Sequence, residues 1–462
     1  MSIRLRIHDN QIIVMDTIVK ARYKSIVDEF AAAIKSGELP AGTRLPTHRV
    51  LSAQHRISLV TATRVYAELE GMGLVSGETG RGTFVREIML PRGQGIDRLA
   101  IASDVIDLSF NYPALPEQAE LLRTALRQLS VSGDLESLLR YQAHGGKLSE
   151  RAVFAHYLAG AGVKTDPDNL LVVNGTQHGL TVAVMGLLKP GDVVAVDALT
   201  YPGFKVLAEQ FHLELVGIPA KGEAMDLEAL RQVCKKRRVK AIYTMPTLHN
   251  PLGWVTDEVW RREMALIAKE HDLLVIEDAT YVWLVENPPR PIHHYAPERT
   301  VYLAGFSKNV ASGLRVGMVV VPEEKRHCVE RAIRATTWNT PALMTAIVCG
   351  WVQDGTVARL EKLKREDARF RQTVVREHLA PLPYQAHPLS YFIWLPLQEE
   401  VRADRVVSAL LKENISLTTA EPFSTSHQTP HALRMAIGSV DIDTLKKAVI
   451  TVRETIEYFN AQ

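Results

Sequence analysis

The chain has 462 residues, which is too many for one ordinary domain, so its length predicts two or three domains. Hydrophobic residues make up 46% of the chain and charged residues 23%, as is typical of a soluble globular protein. The formal net charge of +2 is nearly neutral, so the overall charge does not by itself indicate a nucleic-acid partner.

No apolar run reaches the ~18 residues that a membrane span needs, and the start of the chain lacks the pattern of a secretory signal. The cysteines, Cys234, Cys328 and Cys349, are scattered and odd in number, so they predict neither a disulfide framework nor a metal site. We therefore expect a cytoplasmic protein with no membrane partner and no metal.

The first region, residues 17–86, combines helical periodicity with a glycine-rich end. Residues 21–36 place apolar side chains on one helical face, and Thr47 and Ser58 are expected to cap two further helices. The stretch SGETGRGTFV predicts a tight hairpin with glycines at its bends, namely Gly77, Gly80 and Gly82. Helix, short helix, turn, helix and hairpin is the order of a winged helix-turn-helix.

The run GELPAGTRLPTHRVLSAQHRISLVTATRVYAELEGMGLVSGETGRGTFV resembles the GntR family of bacterial regulators. Its specific parts are the L-P-x-x-R-x-L-[AS] start and the G-x-G-T-[FY]-V hairpin. The resemblance implies that these residues face DNA: Arg49, Thr61, Thr63, Arg64, Gly80, Arg81 and Gly82. Leu59 stands where many relatives carry Arg or Asn, and an apolar side chain can touch a thymine methyl group but cannot bond guanine. The alternative is a helical cap with no nucleic-acid role.

Residues 87–106 mix proline, glycine and weak periodicity, which predicts a linker. From residue 107 to residue 462, short runs rich in Val and Ile alternate with helical patterns, as in NLLVVNG, DVVAVD, VKAIYTMP and DLLVIED. This alternation predicts an α/β domain with a mainly parallel sheet that is buried on both faces. The last ~90 residues have a mixed pattern, which predicts a smaller α+β domain.

The segment GFSKNVASGLRVG, residues 305–317, follows an apolar strand and contains a Ser-Lys pair with an Arg seven residues after the Lys. A lysine that is desolvated in a pocket can lose its proton and form an imine. The neighbouring Ser307 and Arg315 can hold a phosphate group. This segment resembles the Schiff-base segment of aminotransferases of the pyridoxal-phosphate-dependent fold type I, which implies that Lys308 carries pyridoxal 5'-phosphate.

Other segments occur in the order of that family, and the resemblance implies a role for each. Asp278 would pair with the pyridinium nitrogen, and Tyr281 and Asn250 would bond the ring hydroxyl oxygen. Lys308, Asp278 and Tyr281 would be the catalytic residues. The phosphate would be bound by Gly175, Thr176, Gln177, Ser307 and Arg315. The ring would stack on Tyr201, and Tyr141 would reach the phosphate bound by the partner subunit. Arg434 would bind a substrate carboxylate.

Two positions depart from the family pattern. Gly305 stands where relatives usually have Ser or Thr, which removes one hydroxyl contact to the phosphate unless another group replaces it. His144, in YQAHGG, replaces small residues near the cofactor mouth and changes which amino acid fits there.

A GntR-like head fused to an aminotransferase-like body resembles the MocR subfamily of bacterial regulators. That resemblance implies a head-to-tail homodimer that binds a double-stranded DNA operator and senses an amino acid, amine or vitamer effector through the Lys308 aldimine. Two alternatives stay open: a working aminotransferase with a DNA-binding head, and a non-enzymatic protein with a decayed site. The residues leave open whether transamination turns over.

Overall fold

The computed structural model of the protein describes residues 23, 25–31, 33–34, 38–40, 42–71, 74–78, 81–86, 105–131, 135–399, 401–426 and 429–461. All but the last two residues of the predicted linker lie outside the described residues, and so does Gly80 of the predicted hairpin. The described residues form a small N-terminal head and a larger body.

The head is a winged helix-turn-helix. Its elements are the helix α1 at residues 25–31, α2 at His48–His55, α3 at Leu59–Gly71, and the antiparallel strands β1 at Val75–Glu78 and β2 at Gly82–Val85. The predicted caps are confirmed, because the Thr47 hydroxyl accepts a hydrogen bond from Val50 N at 3.3 Å and the Ser58 hydroxyl accepts one from Thr61 N at 3.1 Å. Both hydroxyls satisfy backbone N–H groups that a helix start leaves without partners.

Apolar residues from every helix of the head form its core, including the fully buried Leu51, Val65 and Leu69. The prediction that Gly77 sits at a bend of the hairpin is wrong, because Gly77 lies inside β1 and pairs with Thr83 of β2. The pairing of the two strands extends further toward the tip than the glycine spacing indicates.

The body contains a seven-stranded sheet in the order β4-β10-β9-β8-β7-β5-β6. Six strands are mutually parallel in direction, and β10 runs antiparallel to both of its neighbours, so the prediction of a mainly parallel sheet is confirmed. The strands are β4 Leu170–Val173, β5 Val193–Asp197, β6 Glu214–Ile218, β7 Val239–Thr244, β8 Leu274–Asp278, β9 Thr300–Gly305 and β10 Gly317–Val320.

Helices cover both faces of this sheet, which explains why its central strands are continuous apolar runs. They are α4 Gln118–Val131, α6 Leu148–Ala159, α7 Gly175–Leu187, α8 Pro202–Gln210, α9 Leu227–Lys236, α10 Glu258–Glu270, α11 Ile292–Tyr295, α12 Arg326–Thr336, α13 Ala342–Gln353 and α14 Thr356–Leu379. The short helix α5, Leu135–Leu138, has no buried residue. The carboxyl ends of parallel strands meet at one edge of the sheet, which is where such folds bind ligands.

A smaller α+β unit completes the body, as predicted. A three-stranded antiparallel sheet in the order β11-β14-β13 and a short parallel pair of β12 with β3 pack against helices. Its elements are β3 Ile106–Asp107, β11 Phe392–Pro396, α15 Ala403–Lys412, β12 Ile415–Ser416, β13 Thr418–Thr419, β14 Ala432–Ala436 and α16 Ile442–Asn460. The long helix α14 contributes apolar side chains to the cores of both units and therefore connects them.

No helix within the described ranges is long and apolar enough to cross a membrane.

Candidate functional site

Lys308 follows strand β9, at the edge of the sheet where the parallel strands end. Its Nζ donates a hydrogen bond to the Asn111 carbonyl oxygen. Removal of the amine from water lowers its pKa to about 8, and the nearby guanidinium groups of Arg434 and Arg315 add to this effect. A larger fraction of Lys308 is therefore unprotonated and nucleophilic near neutral pH than is usual for a lysine.

Asp278 ends the neighbouring strand β8 and is buried. Its carboxylate accepts hydrogen bonds from Thr280 N at 3.0 Å, from Thr280 Oγ1 at 2.6 Å and from the Tyr243 hydroxyl at 3.0 Å. Burial raises the pKa of Asp278, and these donors oppose that rise because they stabilise the charged form. Thr280 and Tyr243 thus fix the orientation of the carboxylate.

Tyr281 is buried beside this carboxylate, and its hydroxyl accepts a hydrogen bond from Asn111 Nδ2 at 3.1 Å. Burial raises the pKa of Tyr281, whereas the charge of Arg434 lowers it. The phenol is therefore neutral over the physiological range. Asn111 contacts both Tyr281 and Lys308, although no sequence motif predicted it as part of the site.

Several buried polar atoms around this edge have no hydrogen-bond partner in the described part of the chain: Asn111 Oδ1, Asn250 Oδ1, Gln177 Oε1 and Arg434 Nε. Buried polar atoms in folded proteins are nearly always paired. A small molecule with several polar groups would satisfy these atoms, so the residues fit a polar ring cofactor such as pyridoxal phosphate.

The start of helix α7 forms a cradle for an anion. Gly175 opens the helix with φ of +77°, and a Cβ at this position would lie 2.8 Å from Arg315 Nη2. Arg315 in turn donates to Ser307 Oγ at 3.2 Å and to the Asn174 carbonyl oxygen at 3.3 Å. Backbone N–H groups at a helix start, a hydroxyl and a guanidinium together suit a phosphate group.

His178, one turn into α7, was not predicted as part of the site. Its Nδ1 accepts a hydrogen bond from Asn174 N at 3.1 Å, and Nε2 lies 2.8 Å from Thr336 Oγ1. Burial lowers the pKa of His178 to about 4, and the charge of Arg315 contributes. The imidazole is therefore neutral, and it orients the turn that begins the cradle without adding charge.

The missing hydroxyl at Gly305 has a structural counterpart. A Cβ at Gly305 would lie only 2.7 Å from Thr176 Oγ1. The Thr176 side chain thus occupies the space that a Ser or Thr at position 305 would need. Gly305 and Thr176 therefore form a complementary pair, in which the glycine leaves the space that the Thr176 side chain occupies.

Tyr201 precedes α8, and its partly buried ring lies against Gly203. Burial raises the pKa of its phenol, and the charge of Asp278 raises it further. Gln177 donates from Nε2 to the Gly203 carbonyl oxygen at 3.1 Å. This contact ties the start of α8 to the start of α7, so Tyr201 and the anion cradle have a fixed spacing.

Arg434 lies on β14 of the smaller unit and is buried. Its Nη1 donates to the Ser109 carbonyl oxygen at 2.7 Å, and its guanidinium lies over the Phe392 ring at 5.1 Å. Burial lowers the pKa of Arg434, and the nearby phenol of Tyr281 and the carboxylate of Asp107 oppose that effect. A ligand carboxylate would offer this guanidinium better acceptors than one carbonyl.

Tyr141 is 86% exposed and packs against Trp338, with 5.5 Å between ring centroids. His144 also contacts Trp338, through Nδ1 at 2.8 Å from its carbonyl oxygen. The structure thus gathers Tyr141 and His144 on the surface around Trp338 rather than against Lys308. The role of Tyr141 toward a partner subunit stays a prediction.

The head presents one face of α3 to solvent. Thr63 and Arg64 are exposed on this face, and the Arg64 guanidinium lies 5.0 Å from the centre of the Tyr23 ring. Arg49 on α2 is also exposed. Thr61 is half-buried, and Arg81 and Gly82 flank the tip of the hairpin, with Arg81 over the Phe84 ring at 5.8 Å. These predicted DNA contacts stay predictions.

In the part of the chain that the structure describes, no group of three or more His, Cys, Asp or Glu side chains could hold a metal ion.

Two family models match the chain. The model of aminotransferase class I and II matches residues 103–452, and the model of bacterial regulatory proteins, gntR family, matches residues 22–85. The first covers most of the body with all the cofactor-site residues above, and the second covers the head.

Curated relatives include two proteins of matching length. The uncharacterized HTH-type transcriptional regulator YdeF of Bacillus subtilis is 26% identical, with 96% of each chain covered. The uncharacterized HTH-type transcriptional regulator YjiR of Escherichia coli is also 26% identical, over 94% of this chain and 98% of its own. The 2-aminoadipate transaminase of Thermus thermophilus is 26% identical over 73% of this chain and 86% of its own.

Among solved structures, the kynurenine aminotransferase of Pyrococcus horikoshii matches with a TM-score of 0.72 and 24% identity, over 77% of this chain and 92% of its own. The α-aminoadipate aminotransferase LysN of Thermus thermophilus matches with a TM-score of 0.70 and 24% identity, over 80% and 98%. These likenesses show the fold of the body.

The lowered pKa of Lys308 predicts the pH dependence of its reaction with pyridoxal phosphate. Only the unprotonated amine reacts, and its fraction rises as the pH passes through about 8, instead of the ordinary lysine pKa of 10.5. We expect the attachment rate to rise about tenfold per pH unit below this value and to level off above it. Stopped-flow absorbance measures the rate. A rate that still rises tenfold per unit toward pH 10 would contradict the lowered pKa, and Lys308→Ala should show no attachment.

The pairing of Gly305 with Thr176 predicts a compensating double variant. Gly305→Ser should displace the Thr176 hydroxyl and weaken pyridoxal-phosphate binding by about 5- to 100-fold, as expected for one lost hydrogen bond. Gly305→Ser with Thr176→Ala should restore most of the affinity, because the new hydroxyl then has space. Fluorescence titration measures the affinity. Gly313→Ser is the control, since nothing lies within 4 Å of a Cβ there. A double variant as weak as the single one would refute the pairing.

Proposed function

We propose a function from one premise: the chain belongs to the aminotransferase class I and II family and carries a gntR-family DNA-binding head. It is a transcription regulator that binds an operator through the head and senses a small amine or amino acid through pyridoxal phosphate bound at Lys308. The observation that carries the proposal is a continuous set of contacts from the head to the cofactor site. A DNA operator places such a regulator in the cytoplasm.

The cofactor would be held by residues whose geometry is described above. Lys308 would attach it, Asp278 would face the ring nitrogen, Tyr281 and Asn250 would bond the ring hydroxyl, and Tyr201 would cover the ring. The phosphate would lie in the cradle of Gly175, Thr176, Gln177, Ser307 and Arg315. Bound there, pyridoxal phosphate supplies an aldehyde that exchanges amines and a ring that accepts electrons.

The charges of the site favour an anionic ligand. Lys308, Arg315 and Arg434 bring positive charge, whereas Asp278 supplies a buried carboxylate whose charge acts on Tyr201. A phosphate at Arg315 and a carboxylate at Arg434 would balance these charges in a partly desolvated pocket. An amino acid is therefore the ligand class that the site fits best, with an amine or a vitamer as the other members of the proposed class.

The head and the body are joined at Arg86, the last described residue of the head. Arg86 is buried and forms an ion pair with Glu421, with Nη2 and Oε2 2.9 Å apart. Arg402 of the body also lies over the Phe84 ring of β2 at 4.5 Å. The wing strands of the head therefore rest on the smaller unit of the body.

The loop that carries Glu421 continues toward the cofactor site. Lys205 on α8 donates from Nζ to the carbonyl oxygens of Pro422 at 2.7 Å and Ser424 at 2.5 Å. In addition, Thr200 N donates to the Phe423 carbonyl oxygen at 2.8 Å. Tyr201, which would stack on the cofactor, lies between Thr200 and the start of α8. A displacement of Tyr201 would therefore be transmitted to Arg86 through the loop that carries Glu421, because Lys205 and Thr200 hold this loop.

We further propose that the regulator is a head-to-tail homodimer. Two heads bound to two half-sites gain affinity through their effective concentration. Tyr141, exposed beside Trp338, would then reach the phosphate of the partner subunit.

A working aminotransferase is the second candidate. The complete set of cofactor residues and the similarity to the 2-aminoadipate transaminase support it. Turnover assays with panels of amino and keto acids distinguish the two candidates. A regulator has only to bind its ligand, whereas an enzyme also converts the ligand and releases a product.

Removal of the attachment site should separate sensing from DNA binding. We expect Lys308→Ala to bind the chain's own upstream DNA within about twofold of the unchanged protein, since Lys308 lies in the body. Its footprint should no longer respond to pyridoxal phosphate or to added amino acids. A variant that still responds normally would refute sensing at Lys308. Absence of any footprint with the unchanged protein, in all conditions, would overturn the regulator proposal.

Loss of the ion pair at the head should weaken the coupling but not the cofactor site. We expect Glu421→Gln to keep its affinity for pyridoxal phosphate. The change in DNA affinity that pyridoxal phosphate causes should be about two- to fivefold smaller, as expected for a partly exposed ion pair. Fluorescence anisotropy with operator DNA measures this response. Glu413→Gln, at an exposed carboxylate, is the control. An unchanged response in Glu421→Gln would exclude this pair from the coupling.

A further inference from the structure

The start of helix α3 is shaped by its own hydroxyl groups. The Ser58 and Thr61 hydroxyl oxygens lie 2.8 Å apart, and Thr61 N donates to Ser58 Oγ. Thr63 Oγ1 donates to the Leu59 carbonyl oxygen at 3.0 Å. These hydroxyl groups therefore already have hydrogen-bond partners inside the helix, so they are poor candidates for reading bases by hydrogen bonds.

Two apolar side chains lie uncovered between these hydroxyl groups. Leu59 is 49% exposed and Val60 is 79% exposed, whereas Ala62, Val65 and Leu69 of the same helix are fully buried in the core of the head. The core of the head therefore does not use Leu59 and Val60. Because the core of the head does not bury them, Leu59 and Val60 form an adjacent apolar pair that is accessible to another molecule.

The charges around Leu59 and Val60 indicate which kind of molecule this surface fits. The first turns of α2 and α3 contain no acidic residue. The exposed cations are Arg49 on α2, Arg56 directly after α2, and Arg64 on α3. The carboxylates Glu68 and Glu70 come only at the far end of α3. This arrangement complements a phosphate backbone better than an acidic or neutral protein surface.

In a helix-turn-helix, the first residues of the second helix contact base edges in the major groove. The thymine 5-methyl group is the apolar feature that this groove presents. We infer that Leu59 and Val60 read thymine methyl groups, so that each half-site of the operator carries A·T pairs opposite the start of α3. This inference rests on the proposed DNA binding and adds the base preference that the resemblance to relatives could not supply.

The inference is tested with the full-length protein and a library of random DNA duplexes. We expect the selected duplexes to share thymines at fixed positions in each half-site. Replacement of those thymines by deoxyuridine removes only the methyl group, and it should weaken binding about fourfold per contacted methyl, the effect of about 0.8 kcal/mol for one buried methylene. Replacement of a neighbouring cytosine by 5-methylcytosine, outside these positions, should have no such effect.

Variants connect the effect to the two side chains. Leu59→Ala and Val60→Ala should reduce the difference between thymine and deoxyuridine to less than twofold, because the methyl group then has no partner. Leu126→Ala and Val259→Ala, at similarly exposed positions of the body, are the matched controls and should keep the full difference. The salt dependence of binding should stay unchanged in all four variants, since the phosphate contacts remain.

Selection of half-sites without thymine, or equal affinity for thymine and deoxyuridine duplexes, would overturn the inference while the DNA-binding function stands. Failure to select any duplex, together with no salt-dependent binding to DNA, would instead remove the proposed function itself.

Discussion

Three cations of the body donate to the backbone of one short segment, residues 109–113, and the cofactor site depends on this arrangement. Arg434 donates to the Ser109 carbonyl oxygen, Lys308 to that of Asn111, and the fully buried Lys364 to that of Pro113. Lys364 also donates to the carbonyl oxygens of Lys308 and Val310, so it holds the segment and the Lys308 loop together. Burial lowers the pKa of Lys364 to about 7, since carbonyl oxygens compensate a buried charge less well than a carboxylate does.

This segment also leaves the positive charges of the candidate site available to an anion. Carbonyl dipoles keep the cations in position without neutralising them, so their positive potential remains available to a phosphate or a carboxylate. The segment follows β3 directly, and β3 follows the linker region that leads from the head. The path of the chain from the head into the body therefore ends among the groups that would hold the ligand.

The sequence predicts well those features that lie close together along the chain. The caps Thr47 and Ser58, the strand ends at Asp278 and Lys308, and the glycine at the start of α7 each depend on a few neighbouring residues. Contacts between distant residues were not predictable in this way. Asn111 and Tyr281 are 170 positions apart, and Arg86 and Glu421 are 335 apart, so no local pattern connects them. Gly77 was assigned to a bend because a glycine in a strand and one in a turn look alike until the register with the partner strand is known.

A site that is complete for transamination does not by itself decide between sensing and turnover. Sensing requires that the bound ligand stabilise one arrangement of the protein over another, whereas turnover requires groups that stabilise the transition state more than the bound ligand. Lys308 and Asp278 serve both purposes equally. Under the proposed function, the contacts that would serve only sensing are those from Lys205 through Glu421 to Arg86, because they lie outside the pocket and lead to the head. Glu421 is partly exposed, so this ion pair is worth about 1 kcal/mol or less, and allosteric coupling of a few-fold to a hundredfold needs about 1–3 kcal/mol. The packing of Arg402 on Phe84 adds about 0.5–1 kcal/mol to the contact between head and body. Only the part of these energies that differs between two arrangements of the protein contributes to coupling.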